Sequence, residues 1–417
     1  MPPDGVTKRL KKKLDNTFRH CRKKDRLAID NTRLSLKMLP RFYQNHLRSV
    51  LNANQYILLN LLVELLQGQK QVRLERLAAN LPLPILFASR RRQLQRFLIS
   101  PKLAISSVWF GLINYLLMSY FSVGRGLVIV IDRTQWRDKN LLMVSIVWRQ
   151  RAIPLYWYFL PHKGNSNFAQ QQALFTSVLP LLKDYPITVL GDREFCSVEL
   201  GQWLENQGLA ICLRLKRNEY IRRQTEFTQQ LKQLGLKPGM SMFFAGVNVT
   251  KQLGFSQFNV ACKWKRKYRS HQTDEGWFLL TNLPTVGAAT TAYQQRSGIE
   301  CMFRDCKSGG YNLEGCYVNE PRLSAIVLLI AIAYTSAIIQ GIDISSSNVE
   351  CYICRPKEHG RIQRRHSNFW IGLYSQSWLY NFQLCIDWVG KWMRLNRNKR
   401  LYYQQGLRAI DLIQPAF

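Results

Sequence analysis

Leu127–Asp132 reads LVIVID, a short apolar run closed by an acid. It is rich in β-branched side chains, which suits a strand buried on both faces. Ile187–Asp192, ITVLGD, repeats the pattern. In open α/β sheets, ligand sites gather outside the carboxyl ends of strands. Asp132 and Asp192 are therefore candidates for one site at one end of one sheet. Working outward, LLMVSIVW (141–148) and AIPLYWYFL (152–160) add two more strand-like runs separated by polar turns. NFAQQQALFTSVLPLLKD (167–184) reads as an amphipathic helix, VELGQWLENQG (198–208) as a second helix and AICLRLKR (210–217) as a strand. Three adjacent strands, helix, strand, helix, strand is the order of a mixed α/β domain.

Residues 218–282 break that alternation. MSMFFAGVNVT, QFNVACKWKRKYRS and GWFLLTNL read as short strands with a basic hairpin among them, so a β-rich insertion is predicted there. It ends just before Thr291–Gly310, TAYQQRSGIECMFRDCKSGG, in which Tyr293, Arg296, Glu300 and Lys307 are spaced Y-x2-R-x3-E-x6-K. On one continuous helix, Tyr293, Glu300 and Lys307 drift by only about 20° per heptad, and Arg296 lies within about 40° of Glu300. An acid flanked by two cations and a phenol suits a site that binds a metal together with phosphate oxygens. Asp132, Asp192 and Glu300 supply hard oxygen donors, which Mg2+ and Mn2+ prefer. Asp305 stands about 140° round the same helix from Glu300 and faces elsewhere.

The chain has 417 residues and a net charge of +33, from 59 Lys and Arg against 26 Asp and Glu. That excess argues against an ordinary small-molecule enzyme and for a polyanionic partner. Hydrophobic residues make up 47% and aromatics 12%, so the charge sits on a folded protein and not on a disordered tail. The first 26 residues hold ten Lys and Arg and no apolar core of a signal peptide; a segment helical or ordered only on DNA is predicted. The ten cysteines are read as reduced and intracellular. Leu323–Ile339 lacks charge and approaches the length of a membrane span, but Ser324, Thr335 and Ser336 favour a buried core helix.

Residues 54–120 read as helices, with Arg90, Arg91, Arg92 and Arg96 clustered in FASRRRQLQRFLIS (87–100). They are candidates for reading a DNA end, against the alternative of a solvated helix face. Cys351-x2-Cys354 followed by His359 and His366 hints at zinc, but the x6 spacing of the histidines falls outside the common range. Arg394, Arg397, Lys399 and Arg400, interleaved with Trp388 and Trp392, suggest a DNA or subunit contact.

The Y-R-E-K spacing, Ile299 and Phe303 around the glutamate, and the two strand-end aspartates in order resemble the DDE transposases of bacterial insertion-sequence family four. The resemblance covers about Gly126 to Gln340. It implies an α/β, ribonuclease-H-like mixed-sheet catalytic core with a β-rich insertion, joined to a helical N-terminal DNA-binding region. The expected divisions are 1–120 helical and basic, 121–217 and 283–342 the core, 218–282 the insertion, and 343–417 a basic C-terminal region.

It further implies Asp132, Asp192 and Glu300 as the metal-binding catalytic triad with two Mg2+ or Mn2+ ions. Tyr293, Arg296 and Lys307 would hold phosphates of the cleaved end. Trp277 stands where related transposases stack a tryptophan on a flipped base; an ordinary strand aromatic is the competing reading. The implied partners are double-stranded DNA, as terminal inverted repeats and target, and a second copy on paired ends, in the cytoplasm at the prokaryotic nucleoid and not at a membrane. A nuclease of the same fold that cuts without joining, and a decayed protein that only occupies element ends, are the alternatives.

Overall fold

A computed structural model describes residues 39–223, 227–251, 254–266, 275–356, 358–360 and 364–416. The basic N-terminal segment up to residue 38, and most of the expected basic hairpin, lie outside the described residues. The chain divides into two compact units, one formed by Arg41–Ala333 and one containing Tyr334–Phe417.

The first unit opens with helices α1 (Arg41–Val50), α2 (Ala53–Gln69), α3 (Leu74–Asn80), α4 (Phe87–Phe97) and α5 (Phe110–Tyr120). Asn52 and Gln55 close the start of α2 with a reciprocal capping box, the arrangement that satisfies two otherwise orphaned amides. Apolar residues at helical spacing (Leu58, Leu59, Leu62, Val63, Leu66) are fully or nearly fully buried. Trp109, just before α5, is fully buried and donates its indole N–H to the Pro154 carbonyl at 3.1 Å, tying the helical region to the sheet.

Among the described residues ten strands follow: β1 (Leu127–Trp136), β2 (Lys139–Trp148), β3 (Arg151–Phe159), β4 (Ile187–Gly191), β5 (Ala210–Arg214), β6 (Tyr220–Arg222), β7 (Gln229–Gln230), β8 (Ser241–Val249), β9 (Ser256–Lys263) and β10 (Trp277–Thr281). They form one mixed sheet ordered β3-β2-β1-β4-β5-β10-β9-β8-β6-β7. β1, β2 and β3 form an antiparallel meander, whereas β4 runs parallel to β1 and β5 parallel to β4. Helices α6 (Phe168–Val178) and α7 (Val198–Asn206) make the crossovers that parallel neighbours require. The mixed α/β expectation is met. The strands within 218–282 continue the same sheet, because β10 pairs antiparallel with β5 and β9 with β10.

The Tyr293–Lys307 stretch is not one continuous helix. It divides into α8 (Val286–Gln294) and α9 (Ser297–Cys306). Four amides at the junction, those of Gln295, Arg296, Gly298 and Ile299, bond three residues back, to Ala292, Tyr293, Gln295 and Arg296. This tightening marks the break, and it falls beside a Ser-Gly pair, a common place for helix axes to bend. Gly298 then lets α9 lie close to the sheet: a Cβ there would meet the Arg151 carbonyl carbon at 3.3 Å and the Ala152 nitrogen at 3.4 Å. Asp305 faces away from Glu300 and is paired with Arg151 at 2.8 Å.

Helix α10 (Glu320–Ser346) carries the apolar Leu323–Ile339 run. It is the one described helix long and apolar enough to cross a membrane, and its apolar window is wholly buried within the protein. In the second unit, α11 (Asn368–Leu384), α12 (Ile386–Leu395) and α13 (Arg400–Ile413) accompany the end of α10 around Ile344, Ile371, Leu379, Ile410 and Ile413. Gly341 and Gly372 permit the crossing of α10 and α11; a Cβ on either would fall 1.9 Å from a carbonyl oxygen of the other helix.

Candidate active site

Parallel pairing of β1 and β4 sets Ile131 opposite Gly191. The next residue after each is an aspartate, so Asp132 and Asp192 stand level. Asp192 lies just past the end of β4, but Asp132 lies inside β1, because pairing with β2 carries that strand on to Trp136 and the acid does not end it. Each carboxylate is held by a backbone amide just ahead of it: the Arg133 N–H donates to Asp132 Oδ1 at 2.7 Å, and the Glu194 N–H to Asp192 Oδ1 at 2.8 Å. Glu300 reaches the same end from the first turn of α9. Arg296 connects the two sides, donating to Asp132 Oδ2 at 3.2 Å and, through its other amino group, to Glu300 Oε1.

Burial pushes the Asp132 carboxyl up to about 7; the neighbouring Asp192 and Glu300 add to the rise, while Arg296 and the Arg133 amide oppose it. With Asp192 and Glu300 close enough to raise it, this is a concentration of negative charge, which fits a place for a cation. By donor chemistry, Asp132, Asp192 and Glu300 suit a hard divalent ion. In the present arrangement a guanidinium links two of the three, and among the described residues no three His, Cys, Asp or Glu side chains are gathered as an ion cage. Asp132 thus has Asp192 and Glu300 within electrostatic reach, and Arg296 is bonded to Asp132 and Glu300.

Tyr293, at the end of α8, is buried beside this cluster, and burial raises its phenol to about 12. Trp277 opens β10 and packs edge-on against the Tyr293 ring, 5.1 Å between centroids, with Lys265 over its own ring at 5.3 Å. Trp277 is half-buried. Arg193 and Arg214 both bond Glu275, the latter at 2.5 Å. Burial lowers the pKa of the Arg214 guanidinium, and the nearby charges of Arg193 and Arg296 add to the drop. Three guanidiniums, a phenol and an indole thus border the carboxylates, a composition suited to phosphate and base together.

Lys307 lies beyond the end of α9. Its ammonium pairs with Glu314 at 2.8 Å and sits 5.6 Å from the Trp136 ring at the far end of β1. The seven-residue stripe of Tyr293, Glu300 and Lys307 is therefore not kept as a straight line, because the helix breaks before Arg296 and ends before Lys307. Along α4, Arg90 donates to the Leu81 carbonyl at 3.3 Å and Arg91 pairs with Glu75 at 3.1 Å. Arg92 and Arg96 are exposed. His366 stacks on Trp370 at 3.9 Å.

Arg133, Glu194, Arg193, Arg214 and Glu275 were not singled out by spacing. Three of them stand one or two residues past the strand-end aspartates, and Arg214 ends β5, so strand-end position was the usable signal. Glu275 gave none, since its two arginines lie far back in the chain.

A family model described as "Transposase DDE domain" matches residues 125–336, just over half of the chain, from the start of β1 into α10. No curated protein matches. Among solved structures, a cryo-EM structure of a piggyBac transposase synaptic complex with hairpin DNA is similar at 13% identity and a TM-score of 0.43, covering 86% of this chain and 81% of that one.

Proposed function

The chain belongs to the DDE-domain transposase family, and on that premise we propose that it binds the ends of a mobile element, cleaves a phosphodiester bond there and joins the freed 3′ end to target DNA. The observation that carries this reading is the nearness of Asp192 and Glu300 to Asp132, with Arg296 bonded to Asp132 and Glu300. The strand order β3-β2-β1-β4-β5 supports a ribonuclease-H-like core. A net charge of +33 supports DNA as the partner. The resemblance in the Y-R-E-K spacing supports family four, a homodimer on paired ends, and action at the nucleoid of a prokaryotic cytoplasm.

In this reading Asp132, Asp192 and Glu300 hold two divalent ions, Mg2+ or Mn2+. When bound, such ions make water nucleophilic near neutral pH and steady the leaving oxygen. The chain's own residues do the rest. Asp132 and Asp192 are pre-aligned by the amides of Arg133 and Glu194. Arg296 screens the carboxylates from each other and can offer its planar fork to nonbridging phosphate oxygens. Tyr293, Arg193 and Arg214 border the path of the backbone, Lys307 adds charge farther along it, and Trp277 offers a ring face to an unstacked base. Arg92 and Arg96, with Arg90 and Arg91 beside them, grip the duplex outside the site.

The test is a joining assay with a duplex carrying a preformed 3′ terminal-repeat end, a target plasmid and Mg2+. The proposal expects the labelled end to become covalently linked to the plasmid. Nicking without joining would make the protein a nuclease of this fold, and binding alone would make it an end-occupying protein.

A further inference from the structure

A chain of hydrogen bonds runs from Asp132 through Arg133 and Glu194 to Asp192. The residues whose amides hold Asp132 and Asp192 are Arg133 and Glu194. Their side chains meet, with Arg133 Nε donating to both Glu194 carboxylate oxygens at 2.9 Å. The two side chains are only 15% and 11% exposed. Their remaining valences are filled locally. Arg133 also donates to Gln135 at 3.1 Å, to Asn140 at 2.9 Å and to Asn165 at 3.4 Å. Glu194 Oε1 accepts from the Ser166 amide at 2.9 Å and from its hydroxyl at 3.1 Å. Asn140, itself 1% exposed, donates to the carbonyls of His162 and Gly164. One ion pair therefore ties β1, the loop after β3 and the loop after β4.

We propose that Arg133 and Glu194 are positioning residues that lock the backbone at both aspartates and so fix which carboxylate oxygens face the ion site. This rests on the reading of Asp132 and Asp192 as ion ligands. A mostly buried ion pair is weak evidence for stability as such, whereas ligand geometry must be held to within about 0.5 Å to work. The bonding pattern is what a geometric role requires: each amide takes Oδ1 of its aspartate, and the side-chain pair stops the Asp132 segment of β1 and the loop carrying Asp192 from shifting relative to each other.

Charge and geometry make opposite predictions here. A guanidinium near a divalent site repels the ion, so if Arg133 acted only by charge, its removal would tighten metal binding. If it acts by positioning, its removal loosens binding.

The experiment titrates Mn2+ into the full chain and reads bound ion by electron paramagnetic resonance, with the melting temperature of the metal-free protein measured alongside. The variants are Arg133→Gln, Arg133→Lys, Glu194→Gln, the double Arg133→Gln/Glu194→Gln, and Asp132→Ala. Each single change at Arg133 or Glu194 is expected to weaken Mn2+ binding by about 10–100-fold, the range typical of residues that orient metal ligands. Lys fails in place of Arg because it lacks the fork. The double variant should be no weaker than the worse single, since the pair acts as a unit. Glu194→Gln nearly preserves shape and serves where a larger change prevents folding. Wild-type affinity in folded Glu194→Gln, or tighter binding by Arg133→Gln, overturns the proposal. Should Asp132→Ala lose the ion while the Arg133 and Glu194 variants keep it, only the positioning role falls. Should Asp132→Ala bind Mn2+ like wild type, the reading of the triad falls with it.

Discussion

Arg296 donates to Asp132 Oδ2 at 3.2 Å while its other amino group holds Glu300, so one guanidinium spans two carboxylates read as ion ligands. Opposite charge a few ångströms apart is worth several kcal/mol at the effective dielectric of such a site, roughly 4 kcal/mol at 4 Å. An arriving divalent cation competes directly with it. Arg296→Gln is therefore expected to bind Mn2+ more tightly than wild type by calorimetry. It should also cleave terminal-repeat DNA about 100-fold more slowly or worse, for want of a charged donor on the phosphate. Unchanged cleavage would show that Arg296 has no part in the reaction.

Asp132 gives a pH dependence with a definite sign. Its carboxyl rises from the ordinary 3.8 to about 7 in the folded protein, chiefly through burial. The folded state then binds a proton more readily than the unfolded chain between those values, so this group's contribution to stability is full below about pH 4 and is lost as pH rises through about 7. Metal-free Asp132→Asn should melt higher than wild type at pH 8, with the difference shrinking toward pH 4, corresponding to about 1–4 kcal/mol at most. Scanning calorimetry at the two pH values checks this. A variant that melts lower at pH 8 contradicts it.

Gly298 explains the seat of α9. A methyl group there meets backbone atoms of Arg151 and Ala152 at 3.3–3.4 Å, and backbone does not yield as a side chain does. Gly298→Ala gains about 1 kcal/mol of helix propensity but incurs overpacking of about 1–3 kcal/mol, and it lifts Glu300 from the sheet end. The expected result is a melting temperature unchanged or lower, together with a cleavage rate down by at least 10-fold, since small displacements of catalytic groups are costly. A stabilised, fully active variant would refute the close-approach account.

Much of the fold was legible. LVIVID and ITVLGD are short β-branched runs ending in acids, and both proved to be strands lying side by side, though the first does not stop at its acid but continues to Trp136, held by pairing with β2. The helix carrying Glu300 was legible in kind but not in extent. A repeat of seven suggested one stripe from Tyr293 to Lys307, whereas three-back hydrogen bonds at Gln295–Ile299 bend the chain, and Lys307 finds Glu314 instead. The Ser297-Gly298 pair was the local sign of that break. The joining of β10 to β5 could not be read, because strand partners distant in sequence leave no periodic trace. The same holds for Arg193 and Arg214, which converge on Glu275 from the loop after β4 and the end of β5.

Helix α4 offers a test of DNA binding independent of the active site. Arg92 and Arg96 are exposed, whereas Arg91 is engaged with Glu75. Arg92→Ala and Arg96→Ala should each weaken binding to a terminal-repeat duplex and lower the salt slope of log K by about 1 for each phosphate no longer neutralised. Fluorescence anisotropy across a salt series measures both. Unchanged affinity and slope in the double variant would leave α4 as a solvated helix face.

The most direct measurement is Mg2+-dependent nicking of a terminal-repeat duplex by wild type, Asp132→Asn, Asp192→Asn and Glu300→Gln, with end binding measured on the same preparations. Each carboxamide keeps the size of the acid and removes the charge that holds a cation. The account predicts that all four proteins bind the duplex within a few-fold of one another, that wild type nicks it, and that none of the three variants does. Clear nicking by any one of them would contradict the claim that these three carboxylates form a single catalytic centre.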